Sequence, residues 1–245
     1  MALFTDGTMA TMEDAAAYES SILDVTATEG IDLQTKLKLA QEELGVELEA
    51  FMAGRQIEAA LGNVVVTEPL KKWHVFQTLT LVYRDAYNRQ LNDRYLGKQR
   101  EYERLARWAW EALFQCGIGM TSRPIAKADP PELTAVAGNG SAAVYYVRAA
   151  WSDGEQEGCP SDVAVISVPA GNLASVKAVN PPARAKSWNL YAGYSAAVLA
   201  RQNDGPLPAG ATWTAPSEGL RTGAAPGTGQ APEYFVRAGR VLPRG

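Results

Sequence analysis

The residues best suited to chemistry in this 245-residue chain do not assemble into a catalytic pattern. The single histidine, His74, lies in the run WHVF, among aromatic and aliphatic side chains at helical spacing. A general base needs a nucleophile on one side and an orienting group on the other, and the neighbouring sequence supplies neither, so a structural histidine is expected. One histidine and two cysteines, Cys116 and Cys159, cannot be written as a zinc site, and no metal or cofactor is expected. The cysteines fall in different sections of the chain and read as free thiols. Glu42, Glu43, Glu47 and Glu49 crowd about two turns of one helix, whereas glycoside hydrolysis sets two carboxylates across a cleft. Gly193-Tyr194-Ser195-Ala196-Ala197 lacks the second glycine of a nucleophile elbow. Gly227-Thr228-Gly229 lies in a Pro-rich stretch, and Gly117-Ile118-Gly119 follows a helix where a phosphate loop would precede one. No catalytic residue is expected; the chain reads as a non-enzyme whose function lies in assembly.

The elements around these residues change character at Asp129-Pro130-Pro131. Before that point, apolar residues recur at helical spacing. Met12 to Leu23 predicts a short helix. The segment from Ile31 to Arg55 places Leu33, Leu37, Ala40, Leu44 and Leu48 on one stripe, with Asp32 near its N-cap. Pro69 opens a helix carrying two neighbouring stripes, Trp73, Phe76, Thr80, Tyr83, Tyr87 and Val75, Leu79, Val82, Ala86; this face is wide enough to meet more than one neighbour. From Asp93 a further helix of about six turns turns Tyr95, Tyr102, Leu105, Trp108, Ala109, Ala112 and Leu113 inward, with Glu103, Arg107 and Glu111 stepping by four along its other face. Gly117 and Gly119 end it.

Beyond the double proline the period shifts towards two. Strands are predicted at 133–137, 142–151, 162–168, 173–179, 187–192, 197–202 and 211–214, separated by Gly, Pro, Asn and Asp turns. That spacing predicts a small β-sandwich anchored by Trp151 and Trp188. From Ser217 onward the chain has too little apolar content to fold alone, and EYFVRAGRVL is the piece equipped to grip a partner. The expected organisation is α+β multidomain: a helical domain over 1–128, an all-β sandwich over 129–216 and an extended C-terminal arm over 217–245. The partner-interface candidates are Tyr234, Phe235, Val236, Arg237, Arg240, Val241 and Leu242.

Charge is distributed unevenly. Residues 1–70, 71–128 and 129–245 carry net −10, +6 and 0. Opposite signs on neighbouring sections permit head-to-tail matching between copies, and equally permit neutralisation within one subunit. The basic helices place their aromatics mostly on core stripes, which argues against sequence-specific DNA binding. No apolar run of about eighteen residues is present and the N-terminal segment lacks the order of a signal peptide, so a soluble, unexported protein is expected.

The helical half, WHVFQTLTLVYRDAYNRQLNDRYLGKQREYERLARWAWEALFQCGIGMTSRPI, resembles the head-to-tail connector, or adaptor, proteins of tailed bacteriophages. The second half, with AAVYYVRAAWSDGEQEGCPSDVAVISVPAG, SWNLYAGYSAAVLARQ and TWTAP, resembles the fibronectin type III or immunoglobulin-like modules of phage structural proteins. The resemblance implies a virion protein of the neck, assembled in the host cytoplasm. It implies a twelvefold ring under the portal, joined to the next neck or tail protein, with DNA passing the lumen without sequence-specific binding and no membrane involved. The alternative is a particle-anchored module whose sandwich recognises a host-surface glycan or protein, for which Tyr145, Trp151, Trp188 and Tyr191 are either stacking residues or core.

Overall fold

The computed structural model describes residues 2–238. In chain order the elements are α1 (Met12–Tyr18), α2 (Ile22–Glu29), α3 (Leu33–Ala53), a 3-10 turn at Leu61–Asn63, α4 (Glu68–Gln90) and α5 (Asp93–Cys116). The strands follow: β1 (Ile118–Met120), β2 (Glu132–Ala137), β3 (Ala143–Ser152), β4 (Ala164–Val168), β5 (Asn172–Lys177), β6 (Ser187–Ser195), β7 (Val198–Arg201), β8 (Leu207–Pro208), β9 (Thr212–Thr214) and β10 (Tyr234–Val236). A helical region followed by antiparallel sheets makes this an α+β multidomain chain.

Two compact units emerge, each built from separated stretches: Gly7–Ser122 with Pro232–Gly245, and Met1–Asp6 with Arg123–Ala231. The division falls at 122/123, six residues before the composition break, because Ile125 and Ala128 are buried in the core of the β unit. The arm is likewise shared between the units at 231/232. Its earlier part is held to the β unit through Gln230, 2 % exposed, which donates to Arg123 O and accepts from Ile125 N.

In the helical unit, local chemistry sets the helix ends. Thr11 and Asp14 form a reciprocal capping box at α1, Asp32 Oδ1 accepts from Gln34 N at 3.0 Å to cap α3, and Asn92 Oδ1 accepts from Arg94 N to cap α5. The stretch read as one helix over Met12 to Leu23 is two, because the chain extends at Glu19 to point that side chain into a polar joint with α5. The stripe Leu33, Leu37, Ala40, Leu44, Leu48 of α3 is fully buried. Helix α4 is the hub: it is buried over most of its circumference and packs against α1, α2, α3 and α5, which is what its wide apolar face requires. On α5 the buried line is Tyr102, Ala106, Ala109, Leu113 and Phe114. Trp108, expected inward, is 52 % exposed: it lies off the 102-106-109-113 line, whose alternating steps of four and three follow the 3.6-residue period.

In the β unit, β2, β5 and β9 form one antiparallel sheet in the order β2-β5-β9. The second sheet runs β4-β3-β6-β7, with β8 also on β6. Side chains from both sheets share one core, with Trp151 and Trp188 fully buried in it beside Val147, Val176 and Leu190. The indole of Trp188 donates to Pro208 O at 3.1 Å, so its one polar atom is satisfied. Gly193 lies in the irregular part of the antiparallel β6–β7 pairing, where a Cβ would collide with Val198 O.

Candidate interaction surfaces

The partner-interface candidates Tyr234, Phe235 and Val236 form β10, which returns to the helical unit and pairs antiparallel with β1: Met120 faces Tyr234, Gly119 faces Phe235 and Ile118 faces Val236. Gly119 is required by close packing, since a Cβ there would meet Pro232 Cγ at 2.8 Å and Thr67 Cγ2 at 2.9 Å. The Glu233 carboxylate accepts from Ser122 N at 2.9 Å, and Arg237 Nε donates to Cys116 O at 3.2 Å. Ala238 N then donates to Phe114 O at 3.2 Å. The grip of this segment is therefore on its own helical unit. Tyr234 and Phe235 remain 43 % and 52 % exposed, and among the described residues β10 pairs with β1 alone, which leaves its outer edge open. Arg240, Val241 and Leu242 lie outside the described residues.

A second surface is absent from the sequence reading. Residues of α3, α4 and α5 line a groove of about 690 Å³. Its floor is Leu44, Trp73 and Ala106, and its walls carry Val46 and Trp110. The rim is acidic: Glu43 and Glu47 on α3 face Glu103 and Glu111 on α5, with Arg107 between the latter two in sequence. Gln77, from α4, donates to Glu43 at 2.6 Å. All four rim carboxylates are exposed. The signal for this surface is present in the sequence: Val46 is an apolar residue on the charged side of α3, and Trp110 lies off the buried line of α5.

His74 and Glu19 join elements within the helical unit. His74 is fully buried, and burial pushes its pKa down, so the ring is neutral. Its Nε2 lies 2.8 Å from Leu37 O, joining α4 to α3. Glu19 is buried against Lys98, Ser21 and Tyr102. Cys116 and Cys159 are free thiols. Among the described residues no cluster of three or more His, Cys, Asp or Glu side chains could hold a metal, and no helix is long and apolar enough to cross a membrane. Tyr145, Trp151, Trp188 and Tyr191 are all buried, which removes them as stacking residues for an external ligand. On the outer face of the five-stranded sheet, Arg148 and Arg201 flank Tyr191 across adjacent strands, and the Nε–H of each is buried without a hydrogen-bond partner. Comparison of the chain with family models, with curated proteins and with solved structures finds no match.

Proposed function

We propose that this chain is a non-catalytic assembly protein, a head-to-tail adaptor of a tailed bacteriophage that forms a ring under the portal and continues the DNA channel towards the neck or tail. The observation that carries the assembly reading is β10, a strand with an open outer edge and two exposed aromatic rings, held on the helical unit by its inner edge. Open edges are templates for strand addition by another chain, and exposed Tyr and Phe beside one are suited to the centre of an interface. The phage context rests on the resemblance of the helical and strand-rich segments. In this reading Tyr234, Phe235 and Val236 meet a neighbouring copy or the portal, and Arg237 fixes the strand from within.

The β unit is read as an immunoglobulin or fibronectin type III-like sandwich appended to the adaptor. Its strand order supports this: β4-β3-β6-β7 follows the C′-C-F-G order of such a sheet, and β2-β5 follows B-E with β9 in the outer place of strand D. The alternative, recognition of a host-surface ligand by this unit, draws on the buried Nε–H groups of Arg148 and Arg201, which flank Tyr191 without a hydrogen-bond partner and favour an anionic ligand over a neutral sugar.

The deciding experiment is the rotational symmetry of the assembled protein in electron-microscopy class averages of connectors released from particles. A closed ring with an axial hole, stacked on a portal ring, is expected. A monomer, or a spike away from the particle axis, would overturn the adaptor reading.

A further inference from the structure

We infer that Arg148 and Arg201, on the outer face of the five-stranded sheet, together bind one tetrahedral oxyanion, the phosphate or sulfate group of a ligand. The inference rests on the alternative reading of the β unit for the source of that group, and not on the adaptor ring. Register sets the geometry. On β3 the side chains of Tyr145, Val147, Ala149 and Trp151 enter the sandwich core, which turns Arg148 to the outer face. On β6 Leu190 and Ala192 enter the same core, which turns Tyr191 outward. Arg148 is paired with Tyr191, and Tyr191 with Arg201 of β7, so the three residues form a row across three adjacent strands. The arginines are two strand spacings apart, about 10 Å between backbones, with Tyr191 between them. The backbone of Arg201 is fixed on its other side, where its N–H donates to Ala224 O at 2.8 Å.

Hydrogen bonding and charge give the row its chemistry. The Nε–H of each arginine is buried without an acceptor. Such donors are rare in folded proteins, and here two fall in one row. Among the described residues neither guanidinium enters an ion pair. Glu157 is the acid bonded to the row: its carboxylate accepts from the Tyr191 hydroxyl at 2.8 Å and from Asn189 Nδ2. Burial and the bond to Glu157 raise the pKa of Tyr191, so the phenol stays neutral with its proton aimed at that carboxylate. Asn189 is the outward residue of β6 before Tyr191, so Glu157 takes that side of the row and the anion takes the other, beside Tyr146. Two cations against one carboxylate leave an excess of positive charge. Both arginines are partly exposed, so their outer nitrogens meet the ligand and Nε–H completes the fork as each side chain turns. A carboxylate offers both its oxygens to one guanidinium fork, whereas a phosphate or sulfate ester has a third for a fork arriving from the other side.

The test titrates the full, isotopically labelled chain with sodium phosphate, glucose phosphate, glucose sulfate and sodium acetate at constant ionic strength, following the arginine Nε–H signals by nuclear magnetic resonance. The signals of Arg148 and Arg201, identified by their loss in Arg148→Lys and Arg201→Lys, should shift saturably with the tetrahedral anions, and acetate should bind at least tenfold more weakly. Each lysine variant keeps the charge and loses the fork; it should bind phosphate at least tenfold more weakly while retaining the near-ultraviolet dichroism of the natural chain. Tighter binding of the glucose esters than of free phosphate assigns the group to a sugar, and equal binding assigns the free anion; both support the inference. No saturable shift, acetate binding as tightly as phosphate, or lysine variants that bind like the natural chain would overturn it. Saturable binding by a chain that does not attach to host cells would instead sink the host-recognition reading and leave the anion site in place.

Discussion

Replacing Glu19 by glutamine should destabilise the helical unit at neutral pH and do so far less in acid. In the folded chain the Glu19 side chain is 9 % exposed, with Lys98 Nζ at 2.8 Å, Ser21 Oγ at 2.8 Å and the Tyr102 hydroxyl at 2.8 Å. Burial alone would raise the carboxyl pKa; hydrogen bonds from Lys98, Ser21 and Tyr102 outweigh it and hold the group at about 2, against an ordinary 4.5. The gap corresponds to roughly 3 kcal/mol of stability at pH 7, an upper value because the Lys98 ammonium is partly in water and screened. The folded pKa is depressed, so the unfolded chain binds the proton first on acidification. Stability is complete above about pH 5, is lower by about 2 kcal/mol at pH 3, and has lost the whole contribution below about pH 2. Urea unfolding followed by circular dichroism at 222 nm reads this unit selectively, because α1 to α5 all lie in it. Glu19→Gln should cost about 2–3 kcal/mol at pH 7 and about 1 kcal/mol at pH 3, and the comparison with the natural chain cancels every other carboxylate that titrates alike in both. An equal cost at both pH values would refute the electrostatic account and assign the effect to packing. No cost at pH 7 would show that the joint contributes nothing.

In the β unit, Trp188→Ala removes a fully buried indole and its bond to Pro208 O; it should lower stability by about 3–5 kcal/mol, read as an early loss of near-ultraviolet dichroism in urea. Gln230→Ala removes the side-chain bonds to Arg123 O, which is part-buried, and to Ile125 N, which is buried. The cost should be about 1–3 kcal/mol, with limited proteolysis moving to residues 217–231, and unchanged proteolysis would show that the arm is held elsewhere.

The helices are legible where one element alone decides the pattern. The leucine stripe of α3 and the double stripe of α4 follow from period and width, and the seven predicted strands each overlap an observed one. What escapes depends on partners distant in sequence. The break between α1 and α2 follows from Glu19 meeting Lys98 and Tyr102, about eighty residues on. The three-residue strands β1 and β10 are too short to show a period and exist because each completes the other. The α3–α5 groove stays hidden while its residues are read one helix at a time: Glu43 and Glu47 have the pattern of a solvated face until α5 places Glu103 and Glu111 opposite. An inward Trp108 follows from hydrophobicity alone, against the geometry of its own helix.

The chain's alternation between units constrains how it can be made. Synthesis runs from the N-terminus, and a protein whose domains are contiguous can finish each one before the next emerges from the ribosome. Here the first residues wait for a β unit that begins at Arg123, and the five helices, complete by Cys116, wait for a strand delivered only at Tyr234. Until that strand arrives, β1 presents the backbone edge that β10 will occupy, and the nascent helical unit carries an unfilled pairing site through the synthesis of the whole β unit. The helical unit therefore completes its strand pairing only after the whole β unit has been synthesised.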